Sequence, residues 1–271
     1  MRTVAREQIV ETVAKLCIEA NTLLPAHQKR LLLEAKDKEE SELGRTLIEQ
    51  LIQNFELAGF TSLPICQDCG IAVVFIDIGR DVHLDFDIYN AINEGVSKGY
   101  TNGLLRASML TSCLDRKNTT DNSPAIVHLR IVGGDKLKLT VAPKGGGSEN
   151  ASAIQMLNPA DGREGIIKFV VEQVKRNGPS ACPPLVLGIG LGGTMEYCAL
   201  LAKRALLVEK RSEEYRDLEL EILAQCNNLG FGPAGLGGTV SVLEVHVLGT
   251  ACHIATLPVA LNISCYATRH V

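Results

Sequence analysis

Cysteine is the residue type with the most chemical potential in this 271-residue chain, which has nine of them. Three stand in separate Gly/Pro-punctuated segments. These are Cys66 in Pro64-Ile-Cys-Gln-Asp-Cys-Gly70, Cys182 in Gly178-Pro-Ser-Ala-Cys-Pro-Pro184, and Cys265 in Asn262-Ile-Ser-Cys-Tyr-Ala-Thr-Arg-His270. Three thiolates are one short of the four that close a [4Fe–4S] cluster. A cluster held by three keeps one iron open to substrate, where it can act as a Lewis acid rather than an electron carrier.

Each chemistry-bearing segment also has a plainer reading. Cys66-Gln-Asp-Cys69 has redox or zinc spacing, but no second CxxC pair exists to complete a zinc ribbon. It is either two cysteines in a turn, or a ligand (Cys66) with a carboxylate (Asp68) placed for acid–base work. Pro143-Lys-Gly-Gly-Gly-Ser-Glu-Asn150 lacks the GK[ST] ending of a phosphate loop. Its glycines suit a hairpin exit, or backbone N–H groups that bind a carboxylate. Gly188-Ile-Gly-Leu-Gly-Gly193 matches G-x-G-x-x-G, with Glu209 placed 21 residues past the first glycine. That is a nucleotide fingerprint on paper, but two helices in succession are expected after it where a Rossmann unit needs a second strand. A nucleotide-binding oxidoreductase built on it is the remote alternative. Arg106 is either a solvated charge or a bidentate carboxylate clamp. His27 and His83 read as surface, and His128 and His246 as core. His253 and His270 stand near Cys252 and Cys265, where an acid or base would be useful.

The elements that must position these groups are legible from apolar spacing. Residues 1–57 read as helices, broken at Pro25 and stopped at Gly59. Residues 72–78 form a β-branched run, expected to be a strand, and 86–98 a helix. Residues 125–132 and 136–141 read as a hairpin turning at Gly133-Gly134-Asp135. A helix over 164–176, a strand over 184–189, and helices over 194–209 and 212–227 follow. Residues 239–247 and 253–261 are strand-like. Leu191-Gly-Gly-Thr194 recurs as Leu236-Gly-Gly-Thr239, too short an echo to define a repeat. The expected class is α/β (α+β type), with a mixed, largely antiparallel sheet flanked by helices and a helical N-terminal region, in one domain over 1–271. Cys17, Cys198 and Cys226 fall in helical apolar patterns and read as packing. An odd cysteine count in a chain of this length argues for a reducing compartment rather than a disulfide framework. The net charge of −4, the absence of Trp and the low aromatic content argue against a nucleic-acid surface. No apolar run is long enough to span a bilayer, and residues 1–7 do not resemble a signal peptide. A cytoplasmic enzyme is expected.

Seven segments in order give the chain its resemblance: CQDCG (66–70), LRAS (105–108), DNSPAIVH (121–128), APKGGGSEN (142–150), ACPP (181–184), GIGLGGT (188–194) and NISCYATRH (262–270). Over nearly its whole length the chain resembles the α subunit of the two-subunit, class I iron–sulfur hydro-lyases, fumarate hydratase and L(+)-tartrate dehydratase. The resemblance implies a [4Fe–4S] cluster on Cys66, Cys182 and Cys265. It implies dicarboxylate contacts from Gln67, Asp68, Arg106, Gly146 and Gly147, and places Asp68 and His253 as candidate proton donors or acceptors. Cys69 departs from the family's frequent threonine and is taken as a non-ligand. With the chain stopping at Val271, the resemblance implies a separate β subunit that completes the site, in a dimer of α–β pairs. The implied reaction is reversible hydration of fumarate to malate, or alternatively dehydration of L(+)-tartrate.

Overall fold

A computed structural model describes residues 2–210 and 213–271. In chain order the elements are β1 (Arg2–Thr3), α1 (Arg6–Thr22), α2 (Ala26–Lys38), α3 (Glu42–Thr61), β2 (Ile71–Gly79), β3 (Val82–His83), α4 (Ile88–Asn102), β4 (Ile126–Val132) and β5 (Leu137–Lys144). They continue with α5 (Gly146–Asn150), β6 (Ala153–Leu157), α6 (Gly162–Asn177), β7 (Leu185–Gly193), α7 (Met195–Ala205), α8 (Arg216–Asn227), β8 (Val242–Cys252) and β9 (Leu257–Ser264). The α/β class with mixed sheets and a helical N-terminal region is what the chain adopts, and parallel and antiparallel pairings are equally represented. The first residue of the helix expected over 212–227 lies outside the described residues, and the helix is seen from Arg216. No described helix is long and apolar enough to cross a membrane.

The chain forms two compact units. One comprises the chain up to Pro25, Phe55–Gly146 and Arg269–Val271; the other comprises Ala26–Asn54 and Gly147–Thr268.

In the first unit a three-stranded sheet has the order β4-β2-β5, with β2 parallel to β4 and antiparallel to β5. The expected hairpin between residues 125–132 and 136–141 therefore does not form: both arms exist, but β2 lies between them. The reason is burial. Residues 72–76 of β2 are all buried, as a central strand requires, whereas β4 is largely exposed. The end of β2 also enters the turn, with Gly79 N–H donating to Lys136 O (2.8 Å) and Asp81 N–H to Gly134 O (2.9 Å). Val10, Val13 and Cys17 of α1, Ile92 and Val96 of α4, and Val74 and Ile76 of β2 form the core. Each large aliphatic side chain buried there is worth roughly 1.5–3 kcal/mol. Asp87 caps α4, its Oδ1 accepting from Tyr89 N–H (2.8 Å) and Asn90 N–H (3.1 Å). Gly59 does not stop α3, which runs on to Thr61; an isolated glycine costs a helix only about 1 kcal/mol and neighbouring packing offsets it.

In the second unit a four-stranded sheet has the order β6-β9-β7-β8. β7 pairs parallel with β8 and antiparallel with β9. Leu185, Leu187 and Ile189 of β7, Phe169 and Val170 of α6, Ile222 of α8 and Ile263 of β9 are buried together. The G-x-G-x-x-G run is not a loop but the body of β7. A Cβ at Gly188 would lie 2.2 Å from Ala202 O, and one at Gly190 would lie 2.0 Å from Cys198 O. These glycines let the backbone of α7 rest on the strand, and Cys198 Sγ donates to Gly190 O (3.0 Å). No phosphate can approach a backbone already covered by a helix, so the nucleotide reading is set aside.

Candidate active site

The Cys66–Gly70 segment enters β2 and is anchored from several sides within the first unit. Gly70 has φ +71°, and a Cβ there would lie 2.8 Å from the Lys144 backbone, so a glycine is required. The buried Tyr100 hydroxyl lies 2.9 Å from Cys69 O and 3.1 Å from Gly70 O. Asn122, fully buried with φ +63°, donates from Nδ2 to Gly70 O (3.0 Å). Its Oδ1 accepts from Ser108 N–H (2.7 Å) and Met109 N–H (3.0 Å), tying the loop to the segment that follows Arg106. Buried Arg269 donates from Nη2 to Asp68 O (3.0 Å) and from Nη1 to Asn21 Oδ1 (3.2 Å).

On this frame four of the expected site residues meet. Arg106 Nη1 donates to Gln67 Oε1 (3.0 Å). Asp68 is held at both oxygens, Oδ1 accepting from Gly70 N–H (3.0 Å) and Oδ2 from Gly146 N–H (2.8 Å). Gln67, Arg106, Gly146 and Gly147 are exposed and Asp68 is half-buried, so none is there to fill a core. The Asp68 N–H donates to Cys66 Sγ (3.4 Å), the kind of contact that steadies a thiolate. Cys69 plays another part. It is buried, burial pushes its thiol pKa up, and it accepts from Arg106 N–H (3.2 Å) while donating to Cys66 O (3.8 Å). A threonine hydroxyl could make the same two bonds.

In the second unit the sheet brings Cys182 and Cys265 to one end. Cys182 lies three residues before β7 and Cys265 follows β9, with Val186 paired to Ser264. Tyr266 N–H donates to Cys182 O (3.3 Å), and Gln28 Nε2 donates to Tyr266 O (3.0 Å). Cys182 is exposed and has φ +56°, a left-handed conformation rare for a residue with a Cβ. Such outliers concentrate at functional sites.

His253 is elsewhere. It lies in the turn from β8 to β9, at the opposite end of β9 from Cys265. The eight residues of that strand span roughly 25 Å. His253 Nδ1 accepts from Ala255 N–H (3.1 Å), which leaves Nε2 as the proton-bearing nitrogen of the neutral ring. The exposed imidazole lines a cavity of about 480 Å³ with Cys252, Arg163, Glu214 and Tyr215. His270, the other histidine singled out, is half-buried in the first unit. His27 is not a surface residue: its side chain is 13% exposed and contacts Glu244. Its polar neighbours in sequence gave no hint of the strand it packs on. His246 is buried, as expected.

The cysteines sort by environment. Cys17, Cys198 and Cys226 are buried, and burial pushes their thiols up to about 12, which marks them as packing. Cys66 and Cys265 are half-buried and Cys182 is exposed, and no disulfide forms among the described residues. Thiols that reach solvent, one already accepting an N–H bond, fit an iron–sulfur group. Tyr100, Asn122 and Arg269 are the positioning residues that sequence reasoning passed over. The signals for Asn122 were its place in the DNSPAIVH segment and in Asp121-Asn-Ser-Pro124, a turn-forming run.

The fumarate hydratase (Fumerase) family model matches residues 10–271. The putative L(+)-tartrate dehydratase subunit alpha of Methanocaldococcus jannaschii is 40% identical over 273 residues, covering 97% of this chain and 95% of that protein. The L(+)-tartrate dehydratase subunit alpha of Escherichia coli K12 is 29% identical over 272 residues, covering 98% of this chain and 90% of that protein. With the match spanning both compact units, the chain belongs to the fumarate hydratase (Fumerase) family and is a hydro-lyase.

Proposed function

We propose that this chain is the α subunit of a cytoplasmic iron–sulfur hydro-lyase that interconverts fumarate and malate. Its two units work as one functional domain, and a separate β subunit completes the site in a dimer of α–β pairs. The observation that carries the reading is the constellation around Cys66, in which Gln67 holds Arg106 and Gly146 holds Asp68. Arg106 keeps donors in reserve for a substrate carboxylate, which its planar fork binds bidentately. The exposed backbone at Gly146 and Gly147 offers the second carboxylate a surface without side chains. Asp68, oriented through both oxygens, is placed to pass a proton at the substrate's carbon or hydroxyl. Cys66, Cys182 and Cys265 would hold the cluster. When bound, it supplies an open iron that acts as a Lewis acid for the departing oxygen. His253 stands a strand's length from Cys265, so a catalytic role for it requires a surface brought up by assembly with other chains.

The second reading is L(+)-tartrate dehydration, favoured by the names of both relatives. One experiment tests the assignment and separates the substrates. The chain is purified anaerobically with its β subunit, analysed for iron and sulfide, and assayed on fumarate and L(+)-tartrate. It is compared with Cys66→Ala, Cys182→Ala and Cys265→Ala. About four irons, lost in all three folded variants together with turnover, are expected. Full iron content in any one variant removes that cysteine from the ligand set. A reconstituted wild type without iron or hydro-lyase activity overturns the reading.

A further inference from the structure

Besides the cysteines, three other metal-ligating side chains converge within the second unit. Glu244 and His246 sit two apart on β8 and so project from the same face of the strand. His27, on α2, meets them there: its Nε2 lies 2.5 Å from Glu244 Oε2, and His246 Nε2 lies 3.0 Å from the same oxygen. The three ligand atoms all lie within 4.8 Å of one another. The Glu244 and His246 side chains are 8% and 2% exposed.

Hydrogen bonding accounts for only part of this cluster. The His27–Glu244 contact is a good bond, with Arg30 Nη2 donating to His27 Nδ1 (2.7 Å) and so leaving the proton on Nε2. His246 is different. Neither of its ring nitrogens makes an aligned hydrogen bond, although the ring is buried. Leaving a buried polar atom unsatisfied costs about 1–3 kcal/mol. Its Nε2 lies 3.0 Å from the carboxylate oxygen that His27 also uses, but without the alignment of a hydrogen bond.

We propose that His27, Glu244 and His246 form a divalent transition-metal site, with zinc as the best-suited ion, separate from the thiolate centre. Two neutral imidazoles and one carboxylate are a recognised zinc donor set, with a fourth position left for water. Ligands carried on a helix and a strand are held more firmly than ligands on loops. His27 and Glu244 also line a cavity of about 420 Å³, which gives the ion and its water a way in. Ligation requires Nε2 of His27 to lose its proton to Nδ1, so Arg30 must withdraw. Its side chain is 61% exposed, and Glu34 Oε1 lies 4.0 Å from its Nε as an alternative partner. The bound ion pins α2 to β8.

The test is a cobalt(II) titration of the full, metal-free chain followed by absorption, because cobalt reports its ligands. Nitrogen and oxygen ligation gives ligand-field bands in the visible without the intense near-ultraviolet charge transfer of thiolate ligation. The expected result is one equivalent with the nitrogen–oxygen signature, retained in Cys182→Ala and displaced by zinc. His27→Gln and Glu244→Gln should each weaken it by more than roughly tenfold. Arg30→Gln, which frees Nδ1, should tighten it several-fold. Zinc should raise the melting temperature of the wild type but not of His27→Gln. A purely thiolate signature, or a nitrogen–oxygen signature unchanged in His27→Gln, overturns the proposal. His27 is less buried than His246, 13% against 2% side-chain exposure, so this variant keeps the test valid even if His246→Gln fails to fold.

Discussion

Replacing Asn122 by alanine should loosen the loop that carries Cys66, Gln67 and Asp68 without touching any of them. Asn122 accepts two backbone N–H bonds, from Ser108 and Met109, and gives one to Gly70 O. Gly70 O lies within reach of the Tyr100 hydroxyl, so the principal loss falls on the two amides. At about 1 kcal/mol each for three bonds, plus about 1 kcal/mol for alanine at a positive φ, the cost is about 3–4 kcal/mol. That corresponds to more than about 100-fold in a local opening equilibrium. Hydrogen exchange read by mass spectrometry on the peptide spanning Ser108 and Met109 measures it directly, without assuming two-state unfolding of two compact units. Asn122→Asp is the internal control. It keeps an acceptor for both amides and tolerates the left-handed backbone, and burial favours the protonated carboxyl, whose O–H can replace the amide donor to Gly70 O, so protection should fall less than about tenfold. A change below threefold in Asn122→Ala, or equal losses in both variants, would refute the reasoning.

Two further outcomes are expected. Cys69→Thr should keep wild-type iron content, because a hydroxyl can donate to Cys66 O and accept from Arg106 N–H, whereas Cys69→Val, which can do neither, should cost about 1–2 kcal/mol and lower iron retention; loss of iron in the threonine variant would make Cys69 a ligand. Glu39 sets part of the acid limit of stability. Its burial pushes the carboxyl pKa up, but N–H bonds from Thr239, Ser41 and Val240 and the Thr239 hydroxyl bring it below its ordinary value. A folded-state pKa below the unfolded one gives stability that is complete above the unfolded value and is lost as pH falls through the folded value. Glu39→Gln should therefore be about 2 kcal/mol less stable at neutral pH and lose less on acidification. Melting curves that stay parallel to wild type across the acid range would contradict this.

Much was legible without coordinates, and for definite reasons. Helix-period apolar residues place α1, α4 and α6, because an amphipathic face must be buried whatever it is buried against. Cys17, Cys198 and Cys226 read as packing for the same reason. Cys66, Gln67 and Asp68, in a segment broken by Pro64 and Gly70, read as either a turn or a site, and the family resemblance was what favoured the site. What depended on the tertiary structure was every relation between distant segments. Local patterning treats consecutive strands as partners, so it could not foresee β2 entering between β4 and β5. The glycines of residues 188–193 look alike whether they cradle a phosphate or a helix, and only the backbone of α7 distinguishes the two. His27 lies 217 residues from Glu244, and its burial comes entirely from the strand it meets. Asn122, Tyr100 and Arg269 carry no catalytic signature, because their task is to satisfy backbone groups of a loop far away in sequence. His253 seemed close to Cys265 when counted along the chain, yet the extended strand between them sets them at opposite ends of the sheet. Spacing along a sequence becomes distance in space only after the fold has decided which residues are extended, which are coiled and which partners they meet.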